Sequence, residues 1–101
     1  LKSLELVWAE RYRQQIQEDY IPEHDDQHTD GQLALLAAAY ALSSATKDEV
    51  RCREYFLVED VLEKTYGWKV KPKDPVRDLV RAGALILAEI ERRLRAEEGL
   101  P

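Results

Sequence analysis

Four segments of the chain repeat apolar residues at helical spacing, and the stretches between them break the rhythm. In "SLELVWAERYRQQIQEDY", Leu4, Trp8, Tyr12 and Ile16 recur every fourth position while Glu, Arg and Gln take the other side. That spacing predicts an amphipathic helix with Ser3 as N-cap, and Pro22 ends it or starts the next element. In "HTDGQLALLAAAYALSSA", Leu33, Leu36, Ala37 and Tyr40 make one stripe beside a flat strip of Ala34, Ala38 and Ala41. This second helix starts in one of two ways. Pro22 stands at N1 with Glu23, Asp25 and Asp26 in the favoured acidic first turn, or a separate turn ends at Asp30, which caps a shorter helix.

The third segment carries Val50, Tyr55, Phe56, Val58, Val61 and Leu62. It reads as a helix from about Asp48 to Lys64, stopped by Gly67, although "REYFLV" has the β-branched and aromatic content of a strand. "GWKVKPKDP" is then an ordered loop. The fourth segment has both ends marked: Asp74 caps, Pro75 takes N1, and Gly99 lies just past the end. Leu79, Gly83, Ile86, Ile90 and Leu94 trace one face. A mid-helix Gly costs about 1 kcal/mol relative to Ala, and the alanine strip of the second helix is its expected close partner. The fold expected is mainly α, a single-domain compact bundle of about four helices with an ordered Trp/Lys/Pro loop before the last.

Bulk properties narrow the function. Apolar residues make up 45% and charged residues 35% of 101 positions, the balance of a soluble, helix-rich chain. A net charge of −5 argues against a nucleic-acid backbone as the main partner. The longest apolar run, "LALLAAAYAL", is far short of the roughly 20 residues that span a bilayer. No signal peptide is expected, and the lone Cys52, read as a small apolar filler, suits a reducing cytoplasm. Homo-oligomer formation is compatible with everything in the sequence.

Two clusters could carry chemistry. His24 and His28 are four apart, beside Asp25, Asp26 and Asp30, a spacing that could hold a divalent metal. The glutamate of a metalloprotease motif is absent, so a structural or ligand-contacting role is preferred and no metal or cofactor is expected. The second cluster is "WKVKPKDPVRDLVR". Trp68 could stack on a base while Lys71, Lys73, Arg77 and Arg81 meet phosphates near a helix N-terminus. The competing reading pairs Arg77 and Arg81 with Asp74, Asp78 or the acidic stretch as a solvated structural network.

"PEHDDQHTDGQLALLAAAYAL" and "WKVKPKDPVRDLVRAGALILAEIERR" resemble a family of small phage and prophage proteins of unassigned function. Its members carry an EHDD-x-H-x-x-G-x-LA-x-AA opening and a closing W-K-P-K-D-x-x-R-D-L-V-x-A-G-A-L-I-x-AEIER block. The chain departs from that pattern in a longer middle, residues 47–67, and at Val70 inside the Trp-Lys-Pro run. "EHDDQH" and "YGW" also resemble, more faintly, the start and penultimate turn of RyR domains, which implies recognition of a nucleotide-derived ligand. Asp26 and Asp30 opposite Asp78 and Glu89 resemble the magnesium-holding carboxylates of all-helical MazG-type nucleotide pyrophosphatases. The second helix lacks that family's acids, with none between Asp30 and Asp48.

The resemblance and the basic patch together imply a phage protein that binds and sequesters a nucleotide-type small molecule in the host cytoplasm, plausibly an antiviral signal. The expected ligand-binding residues are His24, Asp25, His28, Trp68, Lys71, Lys73, Arg77 and Arg81. The rival classes are a magnesium-dependent pyrophosphatase and a protein-binding inhibitor of a host enzyme.

Overall fold

The computed structural model describes residues 1–17, 28–45 and 50–99, which form four helices: α1 (Lys2–Gln17), α2 (Gln32–Ser44), α3 (Arg53–Tyr66) and α4 (Pro75–Glu98). The expectation of a mainly α bundle of about four helices holds. The boundaries follow local chemistry where the sequence marks it. Asp74 accepts the Arg77 N–H at 3.0 Å, Pro75 sits in the first turn of α4, and Gly99 closes it. Gly67 ends α3 in the left-handed region, at φ 72°, where a β-carbon is costly. The third segment is therefore a helix, not a strand.

Two expected caps are corrected. Ser3 lies inside α1, which begins at Lys2. The shorter form of the second helix is the one observed, but Gly31 precedes it, and the Asp30 N–H donates to Gln32 Oε1 at 2.8 Å instead of Asp30 capping.

The core sits between α2 and α4, the most extensive helix pair, with α3 closing it on the α2 side. Leu33, Leu36, Ala37 and Tyr40 face inward as their stripe predicts, against Ala82, Leu85 and Ala88 of α4 and Tyr55 and Leu62 of α3. Cys52 is half-buried, packs against this cluster and directs its thiol toward the Leu42 carbonyl at 3.9 Å, in keeping with a filler role.

Two apolar faces point elsewhere than the core. On α4 the buried side is Ala82, Leu85 and Ala88, whereas Leu79, Ile86, Ile90 and Leu94 are about half exposed. Gly83 accordingly does not meet the alanine strip of α2; it meets Val7 of α1. On α1 the row Leu4, Trp8, Tyr12 and Ile16 is 64–67% exposed, and the helix turns Glu10, Arg11 and Gln14 inward. The molecule is flattened, 45 × 36 × 22 Å, its short axis about two helix diameters. Among the described residues no helix is long and apolar enough to cross a membrane.

Candidate functional site

The polar inner face of α1 exists because something polar faces it. Glu10 accepts a two-pronged bond from Arg13, at 2.8 and 2.7 Å, and a third bond from Gln14 Nε2 at 3.2 Å. Arg77 reaches it from α4 at 3.3 Å. Burial alone would push the Glu10 carboxyl up, but the hydrogen bonds and charge of Arg13, with Arg77 and Gln14, outweigh it and hold the group below the usual carboxylate range.

The loop between α3 and α4 closes the other side and is tied down along its length. The Trp68 N–H donates to the Leu62 carbonyl at 3.1 Å and the Lys71 N–H to Tyr40 Oη at 3.3 Å. Arg81 donates back to the Lys71 carbonyl at 2.7 Å, and its guanidinium stands 5.3 Å over the Tyr40 ring. Between loop and helices lies a cavity of about 110 Å³. Glu10, Arg13, Gln14, Lys69, Lys71 and Arg81 supply its polar lining, and Leu36, Tyr40 and Leu85 the remainder. Four cations thus surround one carboxylate that is already paired.

Two of the lining residues each carry a buried atom with no hydrogen-bond partner among the described residues: Gln14 Oε1, an acceptor, and Arg81 Nε, a donor. A buried unsatisfied polar group costs about 1–3 kcal/mol. Both atoms are closed to solvent, so a guest that offers an acceptor to Arg81 and a donor to Gln14 gains both once those side chains turn toward it. A phosphoryl group bearing or adjoining a hydroxyl has that chemistry. The volume takes a phosphate-sized group and lies below the roughly 300 Å³ where pockets for whole small molecules begin, so the rest of such a ligand would extend outward along Lys69 and Lys71.

The expected site residues divide. Lys71 and Arg81 line the cavity, and Arg77 stands behind it, holding Glu10. Of the competing pairing, Arg77 does enter a structural ion pair, but with Glu10, and it bonds Asp74 through its backbone N–H. Arg81 bonds the Lys71 carbonyl and lies over Tyr40, and residues 18–27 of the acidic stretch lie outside the described residues. Lys73 contributes its backbone N–H to Asp78 at 2.8 Å and leaves its side chain exposed. Trp68 does not line the cavity; it packs at the edge of the core, edge-on to His28 at 4.8 Å and tilted to Tyr66 at 6.5 Å. His24 and Asp25 lie outside the described residues. Glu10, Arg13, Gln14 and Tyr40 come from the first two helices and complete a site that the basic run alone does not reveal.

Of the carboxylates that a magnesium site would use, Asp26 lies outside the described residues, and Asp78 and Glu89 are committed elsewhere. Asp78 is 1% exposed and accepts from Ser43 Oγ at 3.0 Å and the Lys73 N–H, while Arg51 donates to the same Ser43 hydroxyl at 2.9 Å. Glu89 is bonded by Arg92 at 2.6 Å and Arg93 at 3.1 Å. Burial pushes its carboxyl up, the two guanidiniums pull it down, and the result is below the ordinary value. Among the described residues no group of three or more His, Cys, Asp or Glu could hold a metal ion.

Comparison with known proteins finds no matching family model, curated protein or solved structure.

Proposed function

We propose that this chain binds a phosphorylated small molecule of the nucleotide type and retains it without turnover. One observation carries the reading: in a chain of net charge −5, Lys69, Lys71 and Arg81 converge on one partly enclosed cavity whose one carboxylate among the described residues, Glu10, is neutralised by Arg13 and Arg77. Such convergence leaves excess positive potential for an anion in a place only partly open to bulk water. Among the described residues the cavity lining includes no nucleophile–base pair and no carboxylate without a cationic partner to activate water, which favours capture over catalysis.

The resemblance to small phage proteins extends this proposal to a biological role. The ligand would be a nucleotide-derived signal of host antiviral defence, and the activity its sequestration in the host cytoplasm. Calorimetry of the parent chain and Arg81→Ala against inorganic phosphate, cyclic dinucleotides, cyclic ADP-ribose isomers and ADP-ribose tests both levels. Binding of at least one nucleotide, weakened about ten- to a hundredfold in Arg81→Ala, is the expected result. If the parent binds none of the panel, or if Arg81→Ala binds as well as the parent, the proposal fails.

A further inference from the structure

We infer that two copies of this chain pair through the apolar face that α1, α4 and α2 present on the side away from the cavity. The inference is independent of the ligand. On α1, the cavity flank carries Glu10, Arg13 and Gln14, and the opposite flank carries Leu4, Trp8, Tyr12 and Ile16. On α4, the cavity flank carries Arg81 and Leu85, and the opposite one carries Leu79, Ile86, Ile90 and Leu94. The two helices touch where Val7 meets Gly83, so the two exposed rows lie side by side on one surface. Beyond α4 the surface continues into a largely apolar groove of about 380 Å³, where alanines of α2 (Ala34, Ala38 and Ala41 among them) face Ile86 and Ile90, with the Glu89–Arg93 ion pair on the α4 side.

Three features select a second copy as the occupant. The first is area. At roughly 100 Å² of exposed surface each, the eight large side chains offer about 800 Å², the share one partner contributes to a standard interface, and an exposed apolar patch of that size exceeds what monomers usually carry. The second is composition. Neither row contains a charged residue, and Trp8 and Tyr12 stand in the α1 row. The charges of the groove, Glu89 and Arg93, pair with each other at 3.1 Å, so the face has an aromatic, apolar centre with its charges already neutralised. The third is complementarity of size within one chain. α1 offers a ridge of bulky side chains, and the groove between α2 and α4 offers a floor of alanines on the other side of the α4 row. A two-fold axis running along α4 places each ridge opposite the partner's groove, with the two α4 rows between them. The contact is then isologous and closed, and both halves of the surface are satisfied at once.

Sedimentation equilibrium of the full chain tests this directly: the expected mass is twice the 11.7 kDa of one chain. Trp8→Glu and Ile90→Glu alter exposed positions and should keep the parent's helical circular dichroism while raising the dimer Kd about a hundredfold or more. Phe56→Glu, exposed on α3 and outside the face, should leave the dimer intact. A parent that sediments as a monomer at high micromolar concentration overturns the inference. So does a dimer that survives both Trp8→Glu and Ile90→Glu, or one that Phe56→Glu dissolves.

Discussion

Val7 fills the space that a side chain at position 83 would occupy: a β-carbon on Gly83 would stand 3.2 and 3.3 Å from its two methyl carbons. The glycine is thus the seat of the α1–α4 crossing. Gly83→Leu should overpack it and cost about 1–3 kcal/mol. Gly83→Ala should lie within about 1 kcal/mol of the parent, because the gain in helix propensity and the tight methyl contact oppose each other. In a Val7→Ala background the contact is relieved, and Gly83→Ala should then stabilise by roughly 0.5–1 kcal/mol. Urea titrations of the four variants check the series; a Gly83→Leu protein as stable as the parent would show that the helices do not meet there.

The same pair shows what the sequence could and could not convey. The ends of α4 were legible because Asp74, Pro75 and Gly99 act within one turn of themselves. The core stripe of α2 was legible because the other large apolar residues of that helix, Leu35 and Leu42, also pack against the same core, so no apolar row points away from it except alanines. On α1 and α4 periodicity identifies an apolar face but not what covers it, and both faces lie away from the core. The buried side of α1 is polar because Glu10 answers Arg77 and Arg11 answers Glu91, more than sixty residues away. Lys71 and Arg81 could be suspected from their basic run. Their partners on α1 and α2 could not, since no local pattern links them.

Asp78 is a buried carboxylate that joins α4 to α2 and to the loop before α4. Its two oxygens accept from Ser43 Oγ and the Lys73 N–H, which fixes the loop to the start of α4. Asp78→Ala leaves both donors short of an acceptor and should cost roughly 2–4 kcal/mol, from two charge-assisted bonds in a buried place. It should also weaken ligand binding, because Lys71 rides on the same loop. Thermal melts together with amide exchange at Lys73 measure both effects. Unchanged protection of that amide would sink the assignment.

Stability should fall on mild acidification more steeply than exposed carboxylates alone would produce. Glu10 and Glu89 both titrate below the ordinary Glu value near ~4.3 in the folded chain, so the unfolded chain binds their protons first. Their contribution is fully present above that ordinary value and is lost as pH falls through the lower folded values. Glu10→Gln and Glu89→Gln should each be less stable than the parent at pH 7 and show a flatter decline between about pH 5 and 3. Denaturant unfolding across that range gives the slopes. Parallel curves for parent and variants would mean that neither carboxyl is depressed.

Gln14 offers a way to separate the cavity's structural role from its binding role. It is 2% exposed, its amide N–H donates to Glu10 at 3.2 Å, and its carbonyl oxygen has no partner among the described residues. Gln14→Leu, close in shape, loses a charge-assisted bond worth about 1.5–3 kcal/mol but also removes a buried unsatisfied acceptor that costs about 1–3 kcal/mol. These opposing effects should leave the ligand-free variant within about 1 kcal/mol of the parent. Arg13 and Arg77 still neutralise Glu10, so the carboxylate is not stranded. A ligand that donates a hydroxyl to Gln14 would lose that contact altogether. The variant should therefore bind the best nucleotide of the panel about ten- to thirtyfold more weakly, while its affinity for inorganic phosphate, held by Lys69, Lys71 and Arg81, changes less. Calorimetry with both probes reads the difference directly. A large loss of ligand-free stability would show that the carbonyl oxygen is satisfied in the folded protein, and equal losses for both probes would place the hydroxyl contact elsewhere.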